Sequence, residues 1–558
     1  MNMITNKFVR SLYFCGILIS TLPNVSVAQE SVDTPESFDG KYLNWYNKDG
    51  KQDKMEGASV ARAYTEIIKD KKAAKKVVVA IIDSGVDIEH DDLKGKVWTN
   101  TDEIPGNGVD DDNNGYIDDV HGWGFLGNSK GDNINIETYE FMRIYRDLNP
   151  KFKSISSENA LPAAEKQQYR MYVQCKKKFE AELKEKQETK KNVEEVGKLF
   201  TGFEKIVGSY LKKDSVTIED LMALSTTDEK VSGAGKWLLQ RYMQGFTKEG
   251  FQAYLDYLDE YLNYHLNLDF NPRADIIGDN PADITDRNYG NNDVIGPRAD
   301  HGTGVAGIVA AVRGNNLGTD GIADNVEIMS IRTVPNGDEY DKDVALAIWY
   351  AVDNGANIIN MSFGKAYSPQ KKMVDDAIQY AEAHNVLLIH AAGNDAHNND
   401  LGENFPTDLC DDGKTVSNWI EVGANQYEKG KEICASFSNY GQNTVDVFAP
   451  GVDVITLFPG SKYWQADGTS FAGPVVTGVA ALVWSYNPGL TAVELKQVLL
   501  ESSTDIGKKK VYVPGQNIKE DKSKVRFGSL STTGGLINAY EALKLAEKKL
   551  AAKSDSGS

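Results

Sequence analysis

The stretch that most constrains this chain is "KKVVVAIIDSG". Val77 to Ile82 is an unbroken run of apolar, mostly β-branched residues that stops at Asp83-Ser84-Gly85. Polar and apolar positions do not alternate in it, so the strand it predicts is buried on both faces, as strands of parallel sheets are. Further on, strand and helix signals take turns. "NVEIMSIRTV" reads as a strand, "DKDVALAIWYAVDNGA" as a helix, "NIINMSFG" as a strand, "SPQKKMVDDAIQYAEAHN" as a helix and "VLLIHAAGN" as a strand. Such alternation predicts right-handed βαβ units, and therefore an α/β fold with a parallel sheet between layers of helices.

Residues 135–269 have another character. Val193, Val196, Leu199, Phe200, Phe203, Ile206, Val207, Tyr210 and Leu211 recur at steps of three and four, as do Phe251, Tyr254, Leu255, Leu258 and Leu262. These stripes predict amphipathic helices with aromatic residues on their buried faces, and "TTDE" at 226–229 has the pattern of a capping box. The block is expected to be a large helical insertion that restricts access to a site, contacts a partner, or only stabilises. The sheet-forming domain is then discontinuous, 29–134 and 270–547, followed by a polar tail at 548–558.

The chain has 558 residues and a net charge of −20 with no basic tract, which argues against nucleic acid as a partner. At the start, Lys7 and Arg10 precede an apolar stretch from Leu12 to Leu22 and the small-x-small site Ser26-Val27-Ala28. That is the pattern of a secretory signal peptide over 1–28, and it predicts an exported protein. No later segment approaches 18 consecutive apolar residues, so no membrane span is expected after signal removal. Removal of Cys15 with the signal leaves Cys175, Cys410 and Cys434. Export permits a Cys410–Cys434 disulfide, with three free thiols the competing expectation.

Three segments carry chemistry. Asp83 closes the buried strand, and in open α/β sheets functional groups gather beyond the carboxyl ends of strands; a turn-forming aspartate is the plainer reading. His301 precedes Gly-Thr-Gly and a run of small residues, a setting that His90, His121, His265, His384, His390 and His397 lack. A surface histidine at a helix start is its plainer reading. Ser470 stands in "QADGTSFAGPVVTGVAAL", at the join between a small polar loop and an apolar helix. Gly468 there allows close approach of backbone, and Pro474 suits a first helical turn. A serine at such a join is commonly a cap, but its hydroxyl is also displayed beside free amides. Together the three supply a nucleophile, a base and an orienting acid. Asn394, in "HAAGNDA", adds a side-chain amide able to donate to an oxyanion.

"AIIDSGVDIEH", "HGTGVAG" and "GTSFAGPVV" resemble the three signature segments of the subtilisin-like serine proteases. "AAGN" resembles their oxyanion segment, "NIINMSFG" their substrate-cleft strand, and "GLTAVELKQVLLESS" and "GGLINAYEAL" their closing helices. The likeness covers roughly 40–133 and 270–547, and the order Asp, His, Ser is that of subtilisin. The resemblance implies Asp83 as orienting acid, His301 as general base and acid, Ser470 as nucleophile, and Asn394 with the Ser470 amide as oxyanion donors. It also implies that Ser362, Phe363, Gly364, Ala391, Ala392 and Gly393 bind an extended protein or peptide substrate. Phe471, Gly473 and Val475 depart from the family's usual residues around the nucleophile. The 218 residues from Asp83 to His301 are far more than the usual few dozen. The short segment before Asp83 itself resembles the start of a mature catalytic domain, so the usual inhibitory pro-segment is not expected.

"DDDNNGYIDD" spaces Asp110, Asp112, Asn114 and Asp118 as positions 1, 3, 5 and 9 of a calcium loop, with Ile117 at position 8. His121 stands where a bidentate glutamate belongs, and an acidic surface loop is the alternative. By resemblance, Asp92 and the loop Gly314 to Thr319 form a second structural calcium site. No organic cofactor is expected. Competing functions are a protease-like binding protein without catalysis and an ester hydrolase; the latter's "GxSxG" elbow does not occur around Ser470.

Overall fold

The structure, a computed structural model, describes residues 32, 34, 37–402 and 404–556. The expected signal peptide lies outside the described residues. The chain divides into two compact units, one holding Phe141–Phe270 and the other Glu30–Glu140 with Asn271–Ser558.

The larger unit is built on a mixed nine-stranded sheet. In chain order its main strands are β1 (Val77–Asp83), β2 (Gly122–Gly124), β3 (Val326–Arg332), β4 (Ile358–Met361), β5 (Leu387–Ala391), β6 (Trp419–Asn425) and β7 (Val447–Pro450). They run in the order β7-β6-β5-β4-β1-β3-β2, every neighbouring pair parallel. Gly535–Leu536 extends the β7 edge in parallel, and Thr504–Asp505 closes it antiparallel. A separate hairpin, β8 (Val454–Phe458) with β9 (Lys462–Ala466), lies outside this sheet.

β1 is buried along nearly its whole length because both of its faces are covered. Val77, Val79 and Ile81 pack in one core cluster with helices Asp300–Ala310, Thr469–Tyr486, Ala492–Glu501 and Ala539–Ser556. Ala80 and Ile82 pack in the other, with helices Asp341–Asp353 and Lys371–Ala383. The expected sheet between helical layers is therefore present. Helix Thr469–Tyr486 is buried almost throughout and packs across β4, β5, β6 and β7, which its small residues permit. The segment expected as a polar tail is helical to Ser556, with Lys549 paired to Glu501 at 2.8 Å and Lys553 paired to Glu494.

The smaller unit is helical. Its longest helix, Ala163–Leu211, has 49 residues. Val196, Phe200 and Val207 from it pack with Trp237 and Leu238 of helix Glu229–Met243. Residues 226–229 do not form a capping box. Asp228 caps that helix, accepting from the amides of Lys230 and Val231, while Thr217–Asp220 and Thr491–Glu494 form the capping boxes. Cys410 and Cys434 are free thiols. Cys410 and Cys434 belong to different core clusters, so the expected disulfide has no common site to form in.

Candidate active site

Asp83 is the last residue of β1 and His301 the second of helix Asp300–Ala310. Their chain distance of 218 residues closes to a 2.7 Å hydrogen bond between His301 Nδ1 and Asp83 Oδ1. Two glycines make this possible. A Cβ on Gly302 would stand 2.1 Å from the Gly85 carbonyl oxygen, and one on Gly85 would stand 2.1 Å from that of Ile295. Only bare backbone lets the helix start approach the strand end this closely. Asp83 Oδ1 also accepts from the Ser84 amide at 2.7 Å, while its Oδ2 is buried with no partner among the described residues. Burial pulls the imidazole pKa of His301 down. The Asp83 charge and hydrogen bond outweigh that pull, leaving the pKa raised above 6.5.

Ser470 is the second residue of helix Thr469–Tyr486 and does not cap it; Gly468 occupies the cap position. Gly468 has φ +153°, a conformation that favours glycine, and a Cβ there would meet nothing closer than 3.6 Å. Its role is thus conformational rather than close approach. That missing Cβ would lie 3.6 Å from the Ser470 amide nitrogen and 3.7 Å from Asn394 Nδ2. Glycine therefore keeps the space between these two donors open.

Pro474 lies in the second turn, not the first. It lacks the N–H that would meet the Ser470 carbonyl four residues back. Ser362 Oγ donates to that carbonyl instead, at 2.9 Å. Ser470 Oγ in turn donates to the Ser362 carbonyl at 3.1 Å rather than to His301. Asn360 Nδ2 donates to Ser362 Oγ, and Thr477 Oγ1 to Asn360 Oδ1, so a buried polar chain holds the backbone at Ser470. Asn394 Oδ1 accepts from the Thr469 amide at 2.8 Å and from Thr469 Oγ1 at 3.0 Å, which turns its amide nitrogen away from Thr469. The Phe471 ring lies 5.5 Å from that of His301.

Asp83, His301, Asn394 and Ser470 all line one cleft of about 420 Å³. Ser362, Phe363, Gly364, Ala391 and Gly393 line it as well. Ala392 does not; it is fully buried, its amide bonded to the Val422 carbonyl. Sequence reasoning passed over Thr469 and the hydroxyl of Ser362. A hydroxyl one residue before a candidate nucleophile was the available signal for the first; the second is visible only through pairing in space.

The acidic loop is arranged differently from the spacing. Asp110 accepts from the amides of Asn114 and Gly115, and Asp118 turns to those of Gly106, Asn107 and Gly108. Ile117 is half exposed. Of Asp110, Asp112, Asn114 and Asp118, only Asp112 joins a cluster, with Glu103 and Asp119, whose ligand oxygens lie within 4.8 Å of one another. Burial raises the Asp119 pKa and the neighbouring Asp112 charge adds to it. Three hard oxygens with no cationic side chain bridged to them among the described residues suit calcium. Asp92 is wholly buried, and burial raises its pKa as well. Asn315, in the loop expected to share its site, donates to it at 2.7 Å, and Thr319 Oγ1 is buried without a hydrogen-bond partner among the described residues.

The model of the subtilase family matches residues 74–528. The chain belongs to the subtilase family. This subtilase is 36% identical over 226 residues to the thermophilic serine proteinase of Bacillus sp. strain AK1, covering 40% of this chain and 51% of that one. It is 32% identical over 302 residues to alkaline elastase YaB of Bacillus sp. strain YaB, covering 54% of this chain and 66% of that one. It is 32% identical over 216 residues to subtilisin Savinase of Lederbergia lenta, covering 38% and 74%. The match thus spans about half the length of the first of these relatives. No helix among the described residues is long and apolar enough to cross a membrane.

Proposed function

We propose that this subtilase is an exported serine endopeptidase that hydrolyses peptide bonds through an acyl-enzyme on Ser470. The observation that carries the reading is the His301–Asp83 hydrogen bond sharing one cleft with Ser470 and Asn394. Rotation about the Cα–Cβ bond of Ser470 exchanges the Ser362 carbonyl for His301 Nε2. His301 then takes the hydroxyl proton as Oγ attacks the scissile carbonyl, and Asp83 stabilises the imidazolium. The Ser470 amide, unpaired among the described residues, and Asn394 Nδ2 receive the oxyanion. His301 returns the proton to the leaving amine, and water repeats the sequence on the ester. An extended peptide docks beside Ser362–Gly364, Ala391 and Gly393 by strand addition.

The relatives' names, a serine proteinase, an elastase and a subtilisin, support this class. Export rests on the signal pattern at 1–28. Structural calcium belongs to the same proposal: Glu103, Asp112 and Asp119 would hold one ion, and Asp92 with the loop Gly314 to Thr319 a second.

One observation favours a second reading, a binding protein without catalysis: Ser470 Oγ is engaged by Ser362 and not by His301. Fluorophosphonate labelling separates the two. Labelling of the parent and none of Ser470→Ala, together with cleavage of a peptide library by the parent alone, is the expected result. An unlabelled, inactive parent would favour the binding protein.

A further inference from the structure

A second histidine–carboxylate pair lies beneath the same cleft. His390 on β5 and Glu421 on β6 are direct cross-strand neighbours on the sheet face opposite the Ser470 helix. His390 is fully buried. Its Nδ1 lies 2.9 Å from Glu421 Oε2, and its Nε2 lies 2.8 Å from the Phe363 carbonyl oxygen. Trp419 Nε1 donates to the same Glu421 oxygen at 3.0 Å, and the Glu421 amide donates to Asp446 Oδ2.

Chemistry assigns the protons. A carbonyl oxygen only accepts, so Nε2 carries hydrogen. Nδ1 and Glu421 then share one further proton between them. Burial raises the Glu421 pKa, against the opposing pull of the His390 contact.

What Nε2 holds matters. β4 ends at Met361, and the ladder of β4 with β5 ends at Met361–His390. Ser362, Phe363 and Gly364 therefore leave the sheet without backbone partners on β5. Along extended chain, successive carbonyls point to opposite sides. Ser362 is held on the cleft side through its reciprocal bonds with Ser470. The Phe363 carbonyl points the other way and is taken by His390.

We infer that His390, oriented by Glu421, is a positioning residue that holds the substrate-docking segment Ser362–Gly364 in the extended geometry an incoming peptide strand needs. It touches neither the substrate nor the reacting atoms. The inference rests on the endopeptidase reading, because a docked peptide is what the segment serves.

The test compares kcat/KM for an extended tetrapeptide anilide with that for an acetylated single-residue ester, which does not reach the segment. Each preparation is normalised to sites titrated by fluorophosphonate, so misfolded protein does not count. Titration and cleavage by the parent test the endopeptidase reading on their own. Glutamine places an N–H near the position of Nε2, whereas asparagine stops short of it. His390→Asn is expected to lower the anilide-to-ester ratio about 10-fold, roughly the net contribution of one buried hydrogen bond. His390→Gln is expected to restore most of it. A parental ratio in His390→Asn, or equal loss in both variants, would overturn the inference. Should neither variant titrate, the partner decides: Glu421→Gln, which can still donate to Nδ1 and keep Nε2 protonated, is expected to retain the ratio, and Glu421→Leu to lose it. Equal ratios in these two would also overturn it.

Discussion

The protein holds two imidazole–carboxylate pairs at strand ends of one sheet, and they differ in what the second ring nitrogen meets. In the pair His301–Asp83, Nδ1 is engaged and the side chain is about one-third exposed, at 32%. Nε2 has no partner among the described residues and lies in a group that lines the cleft. In the pair His390–Glu421, both nitrogens are engaged and the ring is buried. The first has an open position through which a proton can pass. The second has none, and can only hold geometry. Residue types alone do not separate them; the number of open positions does.

The largest effect should come from neutralising each acid in turn. Asp83→Asn is expected to lower kcat about 10⁴-fold on every substrate, because the imidazole then loses its tautomer control and its counter-charge. Glu421→Gln should cost less than about 10-fold, the scale of one net hydrogen bond. Steady-state kinetics on both variants checks this, and comparable losses would erase the distinction. Next, Asn394→Ala should lower kcat about 10²–10³-fold with KM little changed, as loss of this donor does in subtilisin. Thr469→Val, which frees Asn394 Oδ1 from a hydroxyl but leaves the amide contact, should cost about 10-fold in kcat.

The pairs should also differ in pH response. A general base must be neutral, so activity falls as pH drops through the raised pKa of His301. The acid limb of kcat/KM is expected above pH 6.5 in the parent and lower in Asp83→Asn. Stability has the opposite sign. A raised folded pKa stabilises fully below 6.5 and loses that contribution as pH rises through the folded value. The melting-temperature gap between parent and His301→Gln should therefore narrow as pH increases. The smallest expected effect concerns Glu103, Asp112 and Asp119, carboxylates with no imidazole at all. If calcium is their counter-charge, chelation should lower the melting temperature of the parent, by up to about 2.7 kcal/mol of stability relative to an ion at 100 times its Kd. Glu103→Gln/Asp119→Asn should respond less to the chelator.

Asp83, His301 and Ser470 were legible because each sits where a local pattern changes, at the end of a buried run or the start of a small-residue helix. Asn394 follows the same rule. His390 was passed over because its setting is made by register. Glu421 is 31 residues away in the chain and the Phe363 carbonyl 27, and only the pairing of β5 with β6 and the end of β4 bring them together. The acidic loop is arranged differently from its spacing for a related reason. Its spacing suggested alternate ligands around a turn, but Asp118 adopts φ +54° and faces the amides of 106–108, leaving Asp119 and the distant Glu103 beside Asp112. Ser362 was read as cleft backbone, and its hydroxyl acquired a task only because Pro474 leaves a carbonyl bare.

Helix Thr469–Tyr486 has a consequence for synthesis. It carries Ser470 late in the chain, and the strands β4 to β7 that it packs across all precede it. A growing polypeptide can therefore hold Asp83 and His301 while still lacking the Ser470 hydroxyl. Any hydrolytic power would arise only in about the last sixth of translation, after the strands that receive Ser470 have been made.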